Sequence, residues 1–447
     1  MALQNTNFSH QEINELLKKS KRIFFIGIGG ISMSSLATYL HFKGAKIYGY
    51  DKERTEACQK LEAIAEIKYY STPDRVRDMD LIVYSLAIDE SNFEYKMAKK
   101  LTIPTLSRAN LLGYIASTYK TSIGIAGTHG KSTTTSILGK IFDYACLSPT
   151  IFCGAHMKDF GGALHMGQGS ACIFEACEYM NSFHYMIPCE LAILNIEYDH
   201  PDFFKSFGEL KDSFSELSKS PKKVYINADD NASMDIIKRD VISFGIDNEA
   251  TYQAVIEGNG FLVKYLGKEI AKCEPKFKGK HLVYDFLCAF AVAHQNGISP
   301  SVISSAISEF EGVKRRLEYI GKLDTSLPVF EDYAHHPTEI KATLSSLKAM
   351  GYKKIFCVFQ PHTYSRSFYL YNEFVSSFKE AYELYFLPTF KAREENIFGL
   401  DEGSFAKDSG AVLLSCFDEL KEKANKTDAD VILLLGAGNI TNFKKYL

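Results

Sequence analysis

The sequence predicts an α/β protein of three domains, each built on a mainly parallel sheet. Apolar, strand-length runs alternate with helical patterns, and this alternation is typical of helices packed on the faces of parallel sheets. Two of the strands run directly into glycine-rich turns that open helices. The 447 residues exceed what one core holds, and roughly 100–200 residues per domain gives about three domains.

The first unit, assigned to residues 1–119, is predicted to be a Rossmann-like domain. Its first strand is followed by a glycine-rich turn and by a helix with apolar positions at Met33, Leu36 and Leu40. Asp51 stands at the end of the next strand. The predicted strands are Arg22–Ile26, Lys46–Tyr50 and Leu81–Tyr84.

The second unit, residues 120–314, is predicted to be a parallel-sheet domain with a phosphate-binding turn after its first strand. Short β-like pieces with Asn and Gly turns lie between Val224 and Gly279. Ser299 and Pro300 suit a helix start, with a capping hydroxyl followed by proline in the first turn. The predicted strands are Ser122–Ala126, Ala171–Phe174 and Leu191–Ile196, and the predicted helices are Leu282–Asn296 and Ser301–Phe310.

The third unit, residues 315–447, again has the pattern of a Rossmann-like α/β domain. The predicted strands are Val329–Glu331, Lys354–Phe359, Leu384–Leu387 and Val431–Leu435, and the predicted helices are Glu339–Met350 and Phe368–Tyr382. No repeat or low-complexity tract interrupts the three units.

Composition argues against several classes of protein. Hydrophobic residues make up 46% and charged residues 23% of the chain, as in ordinary folded proteins. The net charge of -3 provides no field for nucleic acid or for a membrane surface, and no apolar run approaches the ~18 residues of a membrane helix. The ten cysteines form no C-x-x-C pair, and the polar N-terminus lacks a signal core. We therefore expect a cytoplasmic protein with no nucleic-acid or membrane partner.

The strongest functional signal is the turn after strand 122–126. It comprises Gly127, Thr128, His129, Gly130, Lys131, Ser132 and Thr133. Glycines let backbone N–H groups face a phosphate, and the helix that follows adds partial positive charge. Lys131 can reach the β and γ phosphates of a nucleotide, and the Ser132 hydroxyl can bind Mg²⁺. The spacing departs from the common phosphate loop, because Ile125 stands where a first glycine is usual.

Carboxylates and a histidine follow the next two strands of the second unit. Glu175 ends one strand, and His200 follows the other. Ligands gather at the carboxyl ends of parallel strands, so Glu175 is expected to hold Mg²⁺ opposite Ser132, with His200 at a second cation. Glu178 is open to another interpretation, that of a solvated carboxylate.

The glycine turn of the first unit allows two interpretations. Gly27, Gly29 and Gly30, with Asp51 on the next strand, fit part of a dinucleotide-binding pattern. Ser32 replaces the third glycine of that pattern, so a tight strand–helix turn without a ligand is the alternative.

Four motifs lie in the third unit or in the segment just before it. Gly279 and His281 open an alanine-rich helix, and Arg316 is a guanidinium that can grip phosphate oxygens at two points. His335-His336-Pro337 would suit a metal, although the sequence shows no third ligand. Phe359-Gln360-Pro361-His362 leads to Arg366, which can pair with a carboxylate.

These motifs, in this order, resemble the Mur ligase family from about residue 20 to the end, closest to the branch that joins L-alanine to UDP-N-acetylmuramate. The shortened loop Gly127–Thr133 fits, as do Glu175-Ala176-Cys177-Glu178 with Ser182-Phe183, and Asn195-Ile196-Glu197 with Asp199-His200. Family asparagines and an arginine are replaced here by Leu282, Asp285 and Thr363.

The resemblance implies a role for each matching residue. The catalytic residues are then Lys131, Glu175, His200 and Arg316, and the metal ligands are Ser132, Glu175 and His200. The first glycine turn is expected to hold the diphosphate of a UDP-sugar through Gly27, Gly29, Gly30, Met33, Asp51 and Ser85. ATP is expected at Gly127–Thr133, His281, Arg316 and Asp332, and the amino acid at Tyr333, His362 and Arg366.

The activity implied by the resemblance is amide-bond formation through an acyl phosphate. ATP phosphorylates the lactyl carboxylate of UDP-N-acetylmuramate with Mg²⁺ or Mn²⁺, and L-alanine then attacks, in a monomer or homodimer. Three alternatives remain: a recycling ligase that adds a peptide to the same UDP-sugar, a nicotinamide-dependent oxidoreductase that uses the first glycine turn, and a nucleotide-binding relative without catalysis.

Overall fold

The structure is a computed structural model that describes residues 5–392 and 394–447. Three sheets follow one another along the chain, with 5, 10 and 6 strands. Most neighbouring strands run parallel, and helices cover the sheets, so the predicted α/β class with three mainly parallel sheets is confirmed. The domain boundaries proposed after residues 119 and 314 stay predictions.

The first sheet is entirely parallel, with the strand order β3-β2-β1-β4-β5. The three strands predicted from the sequence are confirmed with the expected bounds. The elements are α1 (His10–Lys19), β1 (Arg22–Ile26), α2 (Ile31–Phe42), β2 (Lys46–Tyr50), α3 (Glu56–Leu61), β3 (Ala65–Lys68), a 3₁₀ turn (Pro73–Asp78), β4 (Leu81–Tyr84), α4 (Phe93–Lys100), β5 (Thr105–Ser107) and α5 (Arg108–Ser117).

The second sheet has a parallel centre and antiparallel strands at both edges, where β7 pairs with β8 and β14 pairs with β13 and β15. Its elements are β6 (Thr121–Ala126), α6 (Lys131–Tyr144), β7 (Thr150–Met157), a 3₁₀ turn (Lys158–Phe160), β8 (Gly162–His165), β9 (Ala171–Glu175), a 3₁₀ segment (Tyr179–Tyr185), β10 (Glu190–Ile193), α7 (Phe207–Leu217), β11 (Lys223–Asn227), α8 (Asn231–Ile236), β12 (Ile242–Gly245), β13 (Tyr252–Glu257), β14 (Gly260–Tyr265), β15 (Lys268–Cys273), α9 (Lys280–Gln295) and α10 (Pro300–Glu309).

The third sheet is parallel except for its first strand, and its order is β16-β17-β21-β18-β19-β20. Its elements are β16 (Glu318–Lys322), β17 (Pro328–Asp332), α11 (Pro337–Ala349), β18 (Ile355–Phe359), α12 (Tyr364–Tyr369), α13 (Tyr371–Val375), β19 (Glu383–Phe386), α14 (Glu402–Asp408), β20 (Val412–Leu413), α15 (Phe417–Ala424), β21 (Val431–Leu435) and a 3₁₀ segment (Asn439–Tyr446).

One predicted strand is shorter than expected, and the reason bears on function. The strand expected over Leu191–Ile196 ends at Ile193. Asn195 leaves the ladder and holds the phosphate loop instead: its carbonyl accepts from Thr128 N at 3.1 Å, and its Oδ1 accepts from His129 N at 2.8 Å.

Two expectations about helices are wrong. The single helix predicted over Phe368–Tyr382 is interrupted at Leu370, between α12 and α13, and it ends at Val375, where the hydroxyls of Ser376 and Ser377 both donate to the carbonyl oxygen of Glu373. Such local bonds compete with helical ones and favour a turn. Ser299 stands at the start of α10 but makes no capping hydrogen bond, because its hydroxyl lies 3.2 Å from that of Ser301.

The first two sheets share one apolar cluster, whereas the third meets the second through charged side chains. The rings of Tyr39 on α2 and Phe152 on β7 lie 5.6 Å apart within that cluster. Across the other junction, Arg366 Nε donates to Asp199 Oδ1 at 3.0 Å, and both side chains are buried. No helix within the described ranges is long and apolar enough to cross a membrane.

Candidate active site

The predicted strand, glycine turn and helix at residues 121–144 are confirmed. Gly127 and Gly130 adopt φ of +134° and +84°, in the region that favours glycine. A Cβ on Gly127 would lie 3.1 Å from Leu194, and one on Gly130 would lie 2.4 Å from Asp285 Oδ1. The backbone is therefore packed closely from two sides, as expected where N–H groups are held in place for a phosphate.

Lys131 lies in a buried chain of charges. Its Nζ donates to the carbonyl oxygen of Thr128 at 3.1 Å and to Glu178 Oε2 at 3.0 Å. Glu178 also lies 3.5 Å from His200 Nε2. Burial would raise the pKa of Glu178, but Lys131 and His200 lower it to about 2, so the carboxylate stays charged.

Glu178 corrects the sequence analysis. The alternative of a solvated carboxylate is wrong, since Glu178 is 2% exposed. The segment after β9 carries Met180 and Asn181 with positive φ, and it folds so that Glu178 meets Lys131. That backbone path is set by packing and could not be derived from a spacing of residues.

The predicted metal ligands lie at the carboxyl end of the second sheet. Glu175 is the last residue of β9, accepts from the backbone N–H of Gly154, and lies 3.2 Å from Cys153 Sγ. Ser132 is buried in the first turn of α6. A carboxylate and a hydroxyl are oxygen donors of the kind that Mg²⁺ prefers, so these residues fit that ion. His200 contacts Glu178 and Asp199 in the described ranges.

A cavity of about 440 Å³ opens beside the loop and brings together residues of all the predicted ATP motifs. His281 is buried there, which lowers its pKa to about 4, so its imidazole is neutral. Predicted ATP-binding residues that line the cavity are His129, Gly130, Thr133, His281, Arg316 and Asp332, and Leu194, Leu282, Leu317 and Ala342 supply apolar surface.

Asp285 departs from the family and is buried above the loop. Thr134 Oγ1 donates to its Oδ1 at 3.1 Å, and the residue is 6% exposed. Burial raises the pKa of Asp285 to about 8, so at neutral pH the group carries a proton. A protonated carboxyl resembles the amide of Asn in having one donor and one acceptor.

Arg316 lies just before β16, the first strand of the third sheet, and lines the cavity. It is buried beside Glu339, with Nη1 3.6 Å from Oε1, and lies over the ring of Tyr333. Glu339 was missed by sequence analysis as a site residue, although it follows His336 at the spacing of a capping box. Burial would raise the pKa of Glu339, but His335, His129 and Arg316 hold it well below its usual range.

Asp332 lines the cavity and also fixes nearby backbone, so its contact with the nucleotide stays a prediction. Its two carboxylate oxygens accept backbone N–H groups, one from Leu317 at 2.6 Å and one from Ala334 at 2.7 Å. The residue lines the cavity, but these bonds shape the turn after β17. Burial raises the pKa of Asp332 to about 6.

The predicted amino-acid residues are close together, but Arg366 is already paired. It grips Asp199 through Nε at 3.0 Å and Nη2 at 3.4 Å, and Nη1 donates to the carbonyl oxygen of His362. The ring of His362 stacks on Phe390 at 5.6 Å, and Tyr333 packs against Arg316. Arg366 is thus engaged with Asp199 in this structure, and its contact with the amino-acid carboxylate stays a prediction.

The backbone of the first glycine turn is fixed by hydrogen bonds to the end of β2 and to the residue that follows it. Gly29 N donates to Asp51 Oδ2 at 2.7 Å, and Gly27 N donates to the carbonyl oxygen of Tyr50 at 2.8 Å. Gly27 has φ of +79° and approaches Ser85, whose hydroxyl accepts from Ala87 N. The side chain of Met33 is 2% exposed and packs in the apolar core, and a contact of this residue with the sugar nucleotide stays a prediction.

Sequence analysis also missed Arg108, a cation beside this turn. Its Nη1 donates to Ser32 Oγ at 3.2 Å, at the start of α2. A guanidinium next to a helix N-terminus favours an anion. A lone Arg at the start of α5 carries no pattern, so only the fold could reveal it.

Comparisons with known proteins agree with this arrangement. Models of the Mur ligase family catalytic domain, the Mur ligase middle domain and the Mur ligase glutamate ligase domain match residues 22–120, 125–293 and 315–438. A UDP-N-acetylmuramate–L-alanine ligase of Caldanaerobacter subterraneus subsp. tengcongensis is 37% identical, with 95% of this chain and 96% of that protein covered.

The chain belongs to the Mur ligase family.

A second relative and a solved structure extend the similarity within the Mur ligase family. The Aquifex aeolicus protein of the same name is 35% identical over 96% of this chain and 97% of its own length. The crystal structure of UDP-N-acetylmuramate-alanine ligase from Thermotoga maritima has a TM-score of 0.81 at 26% identity and covers 95% of this chain and 97% of that one.

Proposed function

We propose that this protein is an ATP-dependent ligase that joins L-alanine to the lactyl carboxylate of UDP-N-acetylmuramate. The observation that carries the proposal is a phosphate loop whose Lys131 contacts Glu178 and, through it, His200, while other residues of the loop line a cavity together with Arg316. Relatives with this activity in their names match the chain over nearly its whole length. The product class is a precursor of peptidoglycan.

The triphosphate of ATP is proposed to lie on the N–H groups of residues 130–133 at the start of α6, with its nucleoside in the cavity. Lys131 in the loop and Arg316 on the cavity wall are proposed to stabilise the negative charge that spreads over the γ-phosphate. Mg²⁺ or Mn²⁺ at Ser132 and Glu175, with His200 nearby, would supply further positive charge to the phosphate oxygens.

The proposed reaction has two steps. A lactyl carboxylate oxygen attacks the γ-phosphorus in line, ADP leaves, and an acyl phosphate forms. The uncharged amine of L-alanine then attacks the acyl carbon, and the tetrahedral intermediate loses phosphate to leave the amide. Contacts such as Asp199 with Arg366 join the second and third sheets at the site, and closure of the third domain on its substrates is proposed to exclude water that would hydrolyse the acyl phosphate.

The first glycine turn is proposed to hold the UDP-sugar. The N-terminus of α2 and Arg108 attract the diphosphate, while Asp51 fixes the backbone of Gly29. The amino acid is proposed to lie near Tyr333 and His362. Because Arg366 is engaged with Asp199, we propose that it positions this region.

We further propose three functional units at 1–119, 120–314 and 315–447, in a cytoplasmic enzyme that is a monomer or homodimer. The ten cysteines are all unpaired, which agrees with a reducing compartment.

The direct test is ATP-dependent release of phosphate by the purified protein with UDP-N-acetylmuramate and a panel of L-Ala, Gly, L-Ser and a muramyl-type peptide. We expect the highest kcat/KM with L-Ala and no release without the UDP-sugar. Equal rates with all amino acids, or a preference for the peptide, would contradict the proposed acceptor. Tight NADH binding without phosphate release would contradict the ligase reaction itself.

A further inference from the structure

Three side chains that commonly bind metals meet where the third sheet packs on the phosphate loop. His129 belongs to the loop, Glu197 follows β10, and His336 caps α11; their donor atoms lie within 4.8 Å of one another. Within residues 5–392 and 394–447, this is the group of three such side chains that converges in this way. The His-His-Pro turn, for which the sequence showed no third ligand, therefore has partners from the second domain.

The distances suit a tetrahedral ion. His129 Nε2 lies 3.5 Å from Glu197 Oε2, and His336 Nδ1 lies 3.7 Å from the same oxygen. Donors bound about 2.0 Å from a tetrahedral metal are about 3.3 Å apart. Only a small inward movement of the side chains would bring them to bonding positions.

Each of the two imidazoles has one ring nitrogen without a hydrogen-bond partner among the described residues. In the described part of the chain, Nε2 of His129 and Nε2 of His336 are buried and make no hydrogen bond. The other nitrogen of His336, Nδ1, is the one 3.7 Å from Glu197, and it accepts the backbone N–H of Thr338 at 3.4 Å, a long bond that a metal at Nδ1 would replace. Most buried polar atoms do have partners, so two such nitrogens in one cluster call for a ligand. His336 is only 5% exposed.

The surroundings also fit a cation. His129 Nδ1 lies 3.2 Å from Glu339 Oε1, the arrangement in which a carboxylate orients a metal-binding imidazole and leaves its other nitrogen free. Thr338 Oγ1 donates to Glu197 Oε2 at 2.6 Å and fixes that carboxylate. His129, Glu197 and Glu339 all line the cavity, which gives an ion a path of entry.

A simple ion pair is the competing explanation. Burial lowers the pKa of His129, but Glu339 and Glu197 raise it to about 9, so a protonated imidazole can also bridge the two carboxylates. An ion pair needs only His129 and the carboxylates, whereas a metal also needs His336. The two explanations therefore differ in the role of His336.

We propose that His129, Glu197 and His336 bind a transition-metal dication such as Zn²⁺, which ties the C-terminal domain to the phosphate loop. Two imidazoles and one carboxylate form a ligand set that Zn²⁺ accepts, with a fourth position left for water or phosphate. Mg²⁺ prefers oxygen donors, so this site differs in chemistry from the one proposed at Ser132 and Glu175.

The test is metal binding by the full-length protein without nucleotide. Co²⁺ is titrated and followed by visible absorption, and Zn²⁺ affinity is measured by competition with a chromogenic chelator. We expect one tight site with the intense spectrum of tetrahedral Co²⁺. His336→Asn should lower Zn²⁺ affinity about 100-fold, because a ligand is lost, while Asn preserves the cap of α11.

Two variants provide controls, and thermal unfolding checks that each is folded. Glu175→Gln should leave Zn²⁺ affinity unchanged, because Glu175 lies outside the proposed cluster. His165→Asn removes an imidazole on β8, near Asp143, and should also have no effect. Wild-type affinity in His336→Asn, or loss of the site in Glu175→Gln, would overturn the proposal.

Discussion

The two glycine turns of this chain have the same local construction and different chemical surroundings. Each follows a buried parallel strand and opens a helix, and each has an aspartate against one glycine. Asp51 accepts the N–H of Gly29 at 2.7 Å, whereas Asp285 is buried above Gly130 and carries a raised pKa of about 8.

The difference lies in the charges that other elements supply. The second turn carries Lys131, which contacts Glu178, and faces a cavity that Arg316 lines. The first turn has Arg108, which contacts Ser32 from α5. A glycine turn before a helix provides N–H groups for an anion, but the cations and carboxylates around it determine whether the site binds a phosphate or also transfers one.

The largest effect is expected at the charge that distinguishes the second turn. Lys131→Ala should lower kcat for phosphate release by about 10²–10³-fold or more, because it removes a charge that acts on the γ-phosphate. Lys140→Ala, on the same helix and paired with Asp159, should retain activity. An active Lys131→Ala enzyme would show that the two turns differ less than the comparison implies.

Stability must be separated from chemistry in that variant. Loss of Lys131 leaves the buried Glu178 carboxylate with only His200 as a partner, which is destabilising. The double variant Lys131→Ala/Glu178→Gln should recover thermal stability and remain inactive. Recovery of both would mean that Lys131 serves only the fold.

A smaller effect is expected at the carboxyl above Gly130. The pKa of Asp285 rises on folding from 3.8 to about 8 because burial disfavours the charged form. Between those values the native state holds a proton that the unfolded chain releases, so the free energy of unfolding falls as pH rises.

Asp285→Asn has no such proton and keeps an acceptor for Thr134. Relative to the wild type it should gain stability as pH rises from about 4 to 8, reaching a few kcal/mol, since one pKa unit corresponds to about 1.4 kcal/mol. Urea unfolding at several pH values measures this. A difference that does not change with pH would mean that Asp285 is charged in the folded protein.

The smallest effect is expected in the first turn. Gly29→Ala would place a Cβ 2.7 Å from Cys58 Sγ and 2.9 Å from Asp51 Oδ2, so the turn must shift. We expect a loss of about 1–3 kcal/mol in stability, a higher KM for the UDP-sugar and an unchanged KM for ATP. Gly208→Ala is the matched control, because the nearest atom to its new Cβ would be Ser206 Oγ at 3.5 Å. A changed KM for ATP alone would contradict the separate roles of the turns.

The sequence alone determined the fold class and the local form of both turns. Strands such as Arg22–Ile26 and Val431–Leu435 are confirmed at their predicted bounds, because continuous apolar runs between turn residues have few other solutions. The helix expected over Phe368–Tyr382 breaks at Leu370 and ends at Val375, beside the hydroxyl-to-backbone bonds of Ser376 and Ser377, because periodicity does not report such local geometry.

Only the tertiary structure decided which side chains face each other around the loop. Three ion pairs join segments that are far apart in the chain. They are Glu178 with Lys131, Asp199 with Arg366, and Glu339 with His129. Residue spacing reports contacts along one helix or strand, whereas these pairs depend on how three sheets pack. Glu178 and Glu339 stay charged because the neighbouring cations outweigh the effect of burial, and neither the neighbours nor the burial can be read from a residue type.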